Sequence, residues 1–421
     1  MTLIVVVPTR NRASLAERAV KCVLDSGLPN VGVMVSDNST RPEEKERLSS
    51  FCAASGVRYM QPPDPKPMSP HWDWAIAQAL ALPEATHFTY LTDRMVFRPG
   101  ALRTLVDIIE TLPSKVISYN HDLIDDYSRP VRLHEFRWTG RALEIDSDYL
   151  LALAARSQHP PCNPRFLNSV APREVVDRVR ARFGNVFDSI SPDFCWAYRC
   201  LDLVDSIVYW DRSALINYAY DRSNGAGYLR GVHSSDSADF QAQLGSKPMN
   251  RDAPVPEFWT ITNAVMNEYC FVKRETGSAK FPDVDRSSYL EAMARDVESI
   301  LDPDLRAAQR ELLVREGGVP DRTGASPFRR RLRAAARDPL RAARRAARRA
   351  LANSSTQEAW RRLGRAGVTP PSSDRFGFES TEDALQWTYQ FPRRPTAWLR
   401  RLDFLNDRRH VRELDLKLLQ K

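Results

Sequence analysis

Hydrophobic positions in the first hundred residues come as short unbroken runs separated by stretches of helical period. Residues 3–7 (Leu-Ile-Val-Val-Val) read as a strand buried on both faces. The run breaks at Pro8-Thr9-Arg10-Asn11-Arg12. Ser14 and Glu17 then form an S-x-x-E capping box for a helix to about residue 26, stopped by Gly27. A second strand, 31–35, ends in Ser36-Asp37-Asn38-Ser39, and a charged helix follows over 42–54. A short strand at 57–61, a stiff proline loop and a helix at 70–82 lead to a fourth strand, 87–91. That strand ends in Thr92-Asp93-Arg94, and beyond Pro99-Gly100 an amphipathic helix carries Leu102, Leu105, Val106 and Ile109. The order β-α-β-α-β-α-β predicts an α/β fold with a doubly wound, mostly parallel sheet and right-handed crossovers. All strand C-termini of such a sheet share one edge, where ligands bind. Thr9, Arg10, Asn11, Asp37 and Asp93 are therefore expected to converge there.

The next segment is less regular. Strands are expected at 115–120 and 138–145, and a helix at 146–155. The turn-rich stretch Ser157-Gln158-His159-Pro160-Pro161-Cys162-Asn163-Pro164 either shapes a pocket or is a plain connector. Pro172 opens a helix that Gly184 closes. In Ser191-Pro192-Asp193 the serine caps, the proline takes the first helical position and Asp193 falls in the first turn of a helix to about residue 204. The helix dipole there favours an ionised carboxylate, and an ionised acid at a pocket rim suits a general base. Asp188 is the runner-up. Strands at 206–210 and 214–219 precede a cationic glycine-rich loop with Arg222 and Arg230. Helical period then dominates, at 258–273, 287–299 and 302–316. The boundaries expected are an α/β domain over 1–235 (halves 1–105 and 106–235), a helical appendage over 236–325, a basic segment over 326–352 and a small module over 353–421.

Composition narrows the classes. The chain has 421 residues, enough for two or three domains, and its net charge of +8 favours acidic or phosphorylated partners. Six cysteines without a C-x-x-C pair read as reduced thiols, and seven histidines without H-x-H or H-E-x-x-H argue against a dedicated zinc site. No run reaches the ~18 apolar residues of a membrane span, and the apolar N-terminus is too short and lacks the basic start of a signal peptide. A cytoplasmic location follows. Residues 328–351 hold ten arginines among alanines with a thin apolar stripe. The segment reads as an exposed charged helix, or as a peripheral contact to an anionic membrane surface. Nucleic-acid binding ranks last, because no binding-fold signature accompanies the charge. There is no G-x-G-x-x-G after the first strand and no G-x-x-x-x-G-K-[ST], which weighs against dinucleotide and P-loop enzymes.

The order Val-Val-Pro-Thr-Arg-Asn-Arg, then Val-Ser-Asp-Asn-Ser, then an acidic strand end before Pro-Gly-Ala-Leu resembles the start of a family-two glycosyltransferase with a GT-A fold, over roughly residues 1–235. The resemblance implies an inverting enzyme that uses a nucleotide-diphosphate sugar, typically UDP-linked, and a glycan or lipid-linked acceptor. It places Pro8, Thr9, Arg10 and Asn11 in the first nucleotide loop and Asp37 on the base. Asp93 matches one acid of D-x-D. His71 and Trp72 lie in a segment like the Asn-Trp-Glu of several branches, at the donor or acceptor pocket. Asp193 matches the general base, and Arg222 or Arg230 a loop that closes on the diphosphate. The second D-x-D carboxylate falls on Arg94 or Met95, neither an acid. Mg or Mn would then be held weakly by Asp93 alone. Two alternatives stay open: Arg94 stands in for the metal against the diphosphate, or the site is a degenerate sugar-nucleotide binder or scaffold. A nucleotidyltransferase is a third, weakened by a first loop without glycine. A homo-oligomer built through the C-terminal module is compatible with its aromatic content.

Overall fold

The computed structural model describes residues 1–126, 129–136, 138–219, 222–223, 250–319, 377–390, 407–416 and 419. Its first half follows the hydrophobic pattern. β1 (Leu3–Thr9), β2 (Val31–Asp37), β3 (Arg58–Met60) and β4 (His87–Tyr90) alternate with α1 (Ala13–Leu24), α2 (Pro42–Ala54) and α3 (Met68–Leu80). The strands lie in the order β3-β2-β1-β4, all parallel. Side chains on β1 alternate between two cores. Leu3, Val5 and Val7 pack with α1, α2 and the helix α4 (Ala101–Thr111), while Ile4 and Val6 pack with α3 on the other face.

The second half is a mixed sheet. It holds β5 (Met95–Phe97), β6 (Ile117–Asp125), β7 (Val131–His134), β8 (Ala142–Asp146), β9 (Ser169–Pro172) and β10 (Ser206–Asn217). The helices α5 (Ser147–Ala155), α6 (Arg173–Phe183) and α7 (Pro192–Leu203) belong to it. β10 runs parallel to β6 and antiparallel to β5 and β8. β9, only four residues long, joins the halves by pairing antiparallel with both β4 and β6. The two strands expected at 206–210 and 214–219 are one strand whose register slips between Trp210 and Leu215. β5, β9 and the late strand β12 (Val411–Leu414), which extends the edge on β8, carry too few residues for a visible period.

One local expectation is overturned. The capping box does not form: α1 starts at Ala13, and the Ala13 N–H donates to Glu44 Oε2 of α2 at 2.7 Å. Glu17 instead accepts from Arg47 Nε at 2.6 Å. A carboxylate from a neighbouring helix thus satisfies an orphan donor at the start of α1, one residue before the expected cap.

The C-terminal region is helical, with α8 (Ile261–Thr276), α9 (Arg286–Val297), α10 (Pro303–Arg315) and α11 (Thr381–Gln390), and the two-residue strand β11 (Gly377–Phe378). α8 is built into the main core: Val265, Met266, Tyr269 and Val272 belong to the same apolar cluster as Trp196 of α7. The fully buried Arg199 of α7 donates to Glu275 of α8 at 2.8 and 3.0 Å. α11 packs against β7, and β11 pairs with it. The basic segment 328–351 and most of 353–421 lie outside the described residues. Among the described residues no helix is long and apolar enough to cross a membrane.

Just past β5, Arg98 is buried against two acids. Its Nε donates to Asp122 Oδ2 at 2.8 Å, Nη2 reaches the same oxygen, and Nη2 donates to Glu135 Oε1 at 3.0 Å. Burial pushes the Asp122 carboxyl up, and Arg98 opposes that shift. Removing the guanidinium strands a fully buried carboxylate, so Arg98→Met is expected to cost about 3–5 kcal/mol in urea unfolding. A loss under about 1 kcal/mol contradicts this account of the corner.

Candidate active site

A cavity of about 380 Å³ lies where the C-terminal ends of β1 and β4 face the start of α7. Pro8, Thr9, Arg10, Asn11, His71, Trp72, Asp93, Arg94, Asp193 and Arg222 all line it. Asp37 is not among the lining residues, and Arg230 lies outside the described residues. Among the described residues the wall carries five arginines (Arg10, Arg12, Arg94, Arg165 and Arg222) and two carboxylates, Asp93 and Asp193. Such a surplus of guanidinium suits an anionic ligand with several oxygens.

Parallel pairing sets the strand end. Asp93 is 3% exposed, and its Oδ2 accepts from Thr9 Oγ1 at 2.9 Å. Its Oδ1 faces Arg12 Nη1 at 3.5 Å. Asn11 takes a left-handed conformation (φ 54°) and clasps the next loop: its Oδ1 accepts from the N–H groups of Thr40 and Arg41 at 2.8 and 3.1 Å. Asp37 sits at the expected end of β2, outside the lining of this cavity. Its carboxylate is 1% exposed and accepts from the Ser39 N–H and the Tyr59 hydroxyl, both at 2.8 Å. It therefore acts as the joint between β2 and β3. Tyr59 and Ser39 carry no motif that would announce this.

The same geometry tests a divalent cation. Asp93 is the carboxylate at this corner, and it already serves a hydroxyl and faces a guanidinium. Met95, one candidate for the second ligand position, is a buried thioether on β5 that lines the cavity without offering a hard oxygen ligand. Arg94, the other, donates to Asn217 Oδ1 at 3.4 Å. Among the described residues no group of three or more His, Cys, Asp or Glu is placed to hold a metal. A hard cation needs several oxygen ligands, so this donor set does not fit one.

The opposite wall is built by the loop before α7. Ser191 sits at the N-cap, but its side chain makes no capping bond. Asp193 occupies the first turn as expected, but the helix dipole does not hold its pKa down. Burial pushes its carboxyl above the ordinary value, and the Arg165 guanidinium opposes that rise. The dipole effect is thus outweighed by desolvation. Arg165 and Arg12 are cleft residues that the sequence reading did not single out. Arg165 follows the turn-rich stretch and lies 5.4 Å over the Phe194 ring, and its neighbour Phe166 is held at φ 65° inside an aromatic cluster. A lone arginine after Asn163-Pro164 reads as surface charge, and only the left-handed Phe166 turns it inward.

His71 and Trp72 meet the cavity from α3. Trp72 packs edge-on to Tyr90 and Phe187. His71 is 4% exposed, with Nε2 2.8 Å from Ser36 Oγ. Burial, then the charges of Arg10 and Lys66, lower its pKa to about 3. It is a neutral hydrogen-bonding wall and not a cationic ligand.

No family model matches the chain, and no curated protein matches it. Among solved structures, the crystal structure of S. aureus TarS is similar at 12% identity and a TM-score of 0.39, over 75% of this chain and 52% of that one. TarS 1–349 in complex with UDP-GlcNAc is similar at 13% identity and 0.40, over 80% of this chain and 92% of that one. The complex of TarS 1–349 with UDP gives 13% and 0.39 over the same shares. This chain thus spans about half the length of the longer TarS structure.

The histidine shift has a defined sign. His71 in the unfolded chain takes a proton near pH 6.5, and the folded protein resists it until about pH 3. Its contribution to stability is complete above pH 6.5 and is lost as pH falls through that window, by up to about 1.4 kcal/mol per pH unit. The loss of stability between pH 7 and pH 5 is expected to be about 2 kcal/mol smaller in His71→Gln than in the unsubstituted protein, read by urea unfolding. Equal losses in the two proteins overturn the assignment.

Proposed function

We propose that the chain is a GT-A glycosyltransferase of family-two type. It moves a sugar from a nucleotide-diphosphate sugar, UDP-linked, to a hydroxyl of a glycan or lipid-linked acceptor. One observation carries the reading: a single cavity sets the arginine-lined strand ends opposite an acid at the start of a helix. A diphosphate needs the first wall and an acceptor hydroxyl needs the second.

Asp193 takes the proton from the acceptor hydroxyl as its oxygen attacks the anomeric carbon. The bond from that carbon to the diphosphate oxygen breaks, and configuration inverts. The raised pKa of Asp193 makes it a stronger base than an exposed aspartate. Negative charge grows on the departing diphosphate. Arg94, with Arg10 and Arg12 from the first loop and Arg222 from the other side, supplies fixed donors there. Asp93 then serves as the anchor of Arg12 and Thr9 and as a neighbour of the ribose.

A sugar-nucleotide binder without transfer is the second reading, favoured by the engagement of Asp93 with Thr9 and Arg12. Stabilisation by UDP in a thermal-shift panel supports both readings, and release of UDP in the presence of acceptor separates them. Asp193→Asn is expected to abolish transfer while UDP binding stays within a few-fold. A variant that transfers at near-normal rate removes Asp193 from the role. Turnover is expected to persist in excess chelator. Loss of turnover there, restored by Mg or Mn, refutes the arginine-based account.

A further inference from the structure

Within the turn before α7, Asp188 Oδ1 accepts the Ser189 N–H at 2.6 Å. Ser191 offers no side-chain cap, and Ser189, two residues earlier, adopts a left-handed conformation (φ 61°) without being glycine. Further contacts come from α8, more than seventy residues later. Glu268 is fully buried, and its Oε1 accepts the Ser189 hydroxyl at 2.9 Å and the Ser191 N–H at 3.2 Å. The adjacent Asn267 donates to Glu268 Oε1 at 3.1 Å and to Ser189 Oγ at 3.3 Å. From the other side, Ser69 Oγ of α3 donates to the Ser189 carbonyl at 2.6 Å. The turn that delivers Asp193 is therefore clamped between α3 and α8, and Glu268 receives the donors that fix it.

We propose that Glu268 is the positioning residue for Asp193, so that α8 belongs to the site. Its catalytic consequence rests on the transfer reading above; its structural part does not. The carboxylate that takes the Ser191 N–H satisfies the first orphan donor of α7, and it fixes the left-handed Ser189 that sets the direction of the helix. One to two turns earlier on the same helix, Val265, Ala264 and Ile261 line the cavity itself. The groups facing Glu268 include Asp193, Cys195 and Tyr198 of α7. Burial raises its pKa to about 8, with the Asp193 charge adding to the rise. A neutral Glu268 adds no negative charge beside Asp193.

The test compares Glu268→Ala, Glu268→Gln and Glu275→Ala in the full chain. Glu275→Ala breaks the Arg199 pair elsewhere between α7 and α8 and serves as the control for loosened packing alone. Native-state hydrogen exchange reads the positioning directly. Glu268→Ala is expected to speed exchange of the Ser191 amide about tenfold or more, whereas Gln, which keeps the acceptor oxygen, restores protection. In a transfer assay Glu268→Ala is expected to lower kcat about tenfold with the KM for the UDP-sugar unchanged. Gln restores turnover to within a few-fold and displaces the alkaline limb of the pH profile. Unchanged Ser191 exchange in Glu268→Ala, or equal effects from Glu275→Ala, overturns the proposal. Absence of UDP binding in the unsubstituted protein defeats the transfer reading alone, because exchange still decides the positioning.

Discussion

The hydrogen bond from Thr9 Oγ1 to the Asp93 carboxylate joins the ends of two neighbouring parallel strands. The rest of the cleft depends on that joint. Asp93 is 3% exposed, and a buried carboxylate persists only where donors meet it. Thr9 supplies one and the Arg12 guanidinium faces the other oxygen. Meeting the need of this one charge fixes the loop after β1 and the turn after β4 in the same act. That turn is closed by the Met95 N–H on the Thr92 carbonyl, and it leads into β5 and the antiparallel contact with β10. The path of the chain from β4 into β5 thus answers an electrostatic requirement at one side chain.

The same requirement shapes the chemistry open to the cleft. A carboxylate already committed to a hydroxyl and a guanidinium is a poor ligand for a dication, since a metal would have to displace one and repel the other. Guanidinium groups fixed on the wall face no such conflict. They remain charged at any working pH, and their planar donors match phosphate oxygens in pairs. Five of them line the cleft among the described residues. On the proposed reading, the groups beside Asp93 set how the cleft meets the charge of a diphosphate.

Much of the N-terminal half was legible because burial on both faces demands unbroken aliphatic runs, and those runs are visible in residues 3–7 and 31–35. Helix α2 matches the expected 42–54, and the buried face of α4 carries the four residues that its spacing named. Legibility fell where partners distant in sequence decide the outcome. The N-terminus of α1 is satisfied by Glu44 and not by its own capping box. Asp37 sits at the expected strand end but serves Tyr59 and Ser39 inside the fold. Arg165 enters the cleft because Phe166 adopts a left-handed backbone inside an aromatic cluster, which no local pattern encodes.

Helix α8 extends this lesson from elements to residues. Its period announces an amphipathic helix, and in such a pattern a glutamate next to an asparagine reads as the solvated face. The structure reverses that, because the surface beside α8 is the donor-rich turn at Ser189 and Ser191. Burial raises the pKa of this acid to about 8, and several donors converge on its Oε1. A chain that needed α8 merely as a cover would meet the same core with an apolar residue at less desolvation cost. Retaining an acid at full burial makes physical sense when the turn it fixes must hold one geometry, and the side chain next delivered by that turn is Asp193.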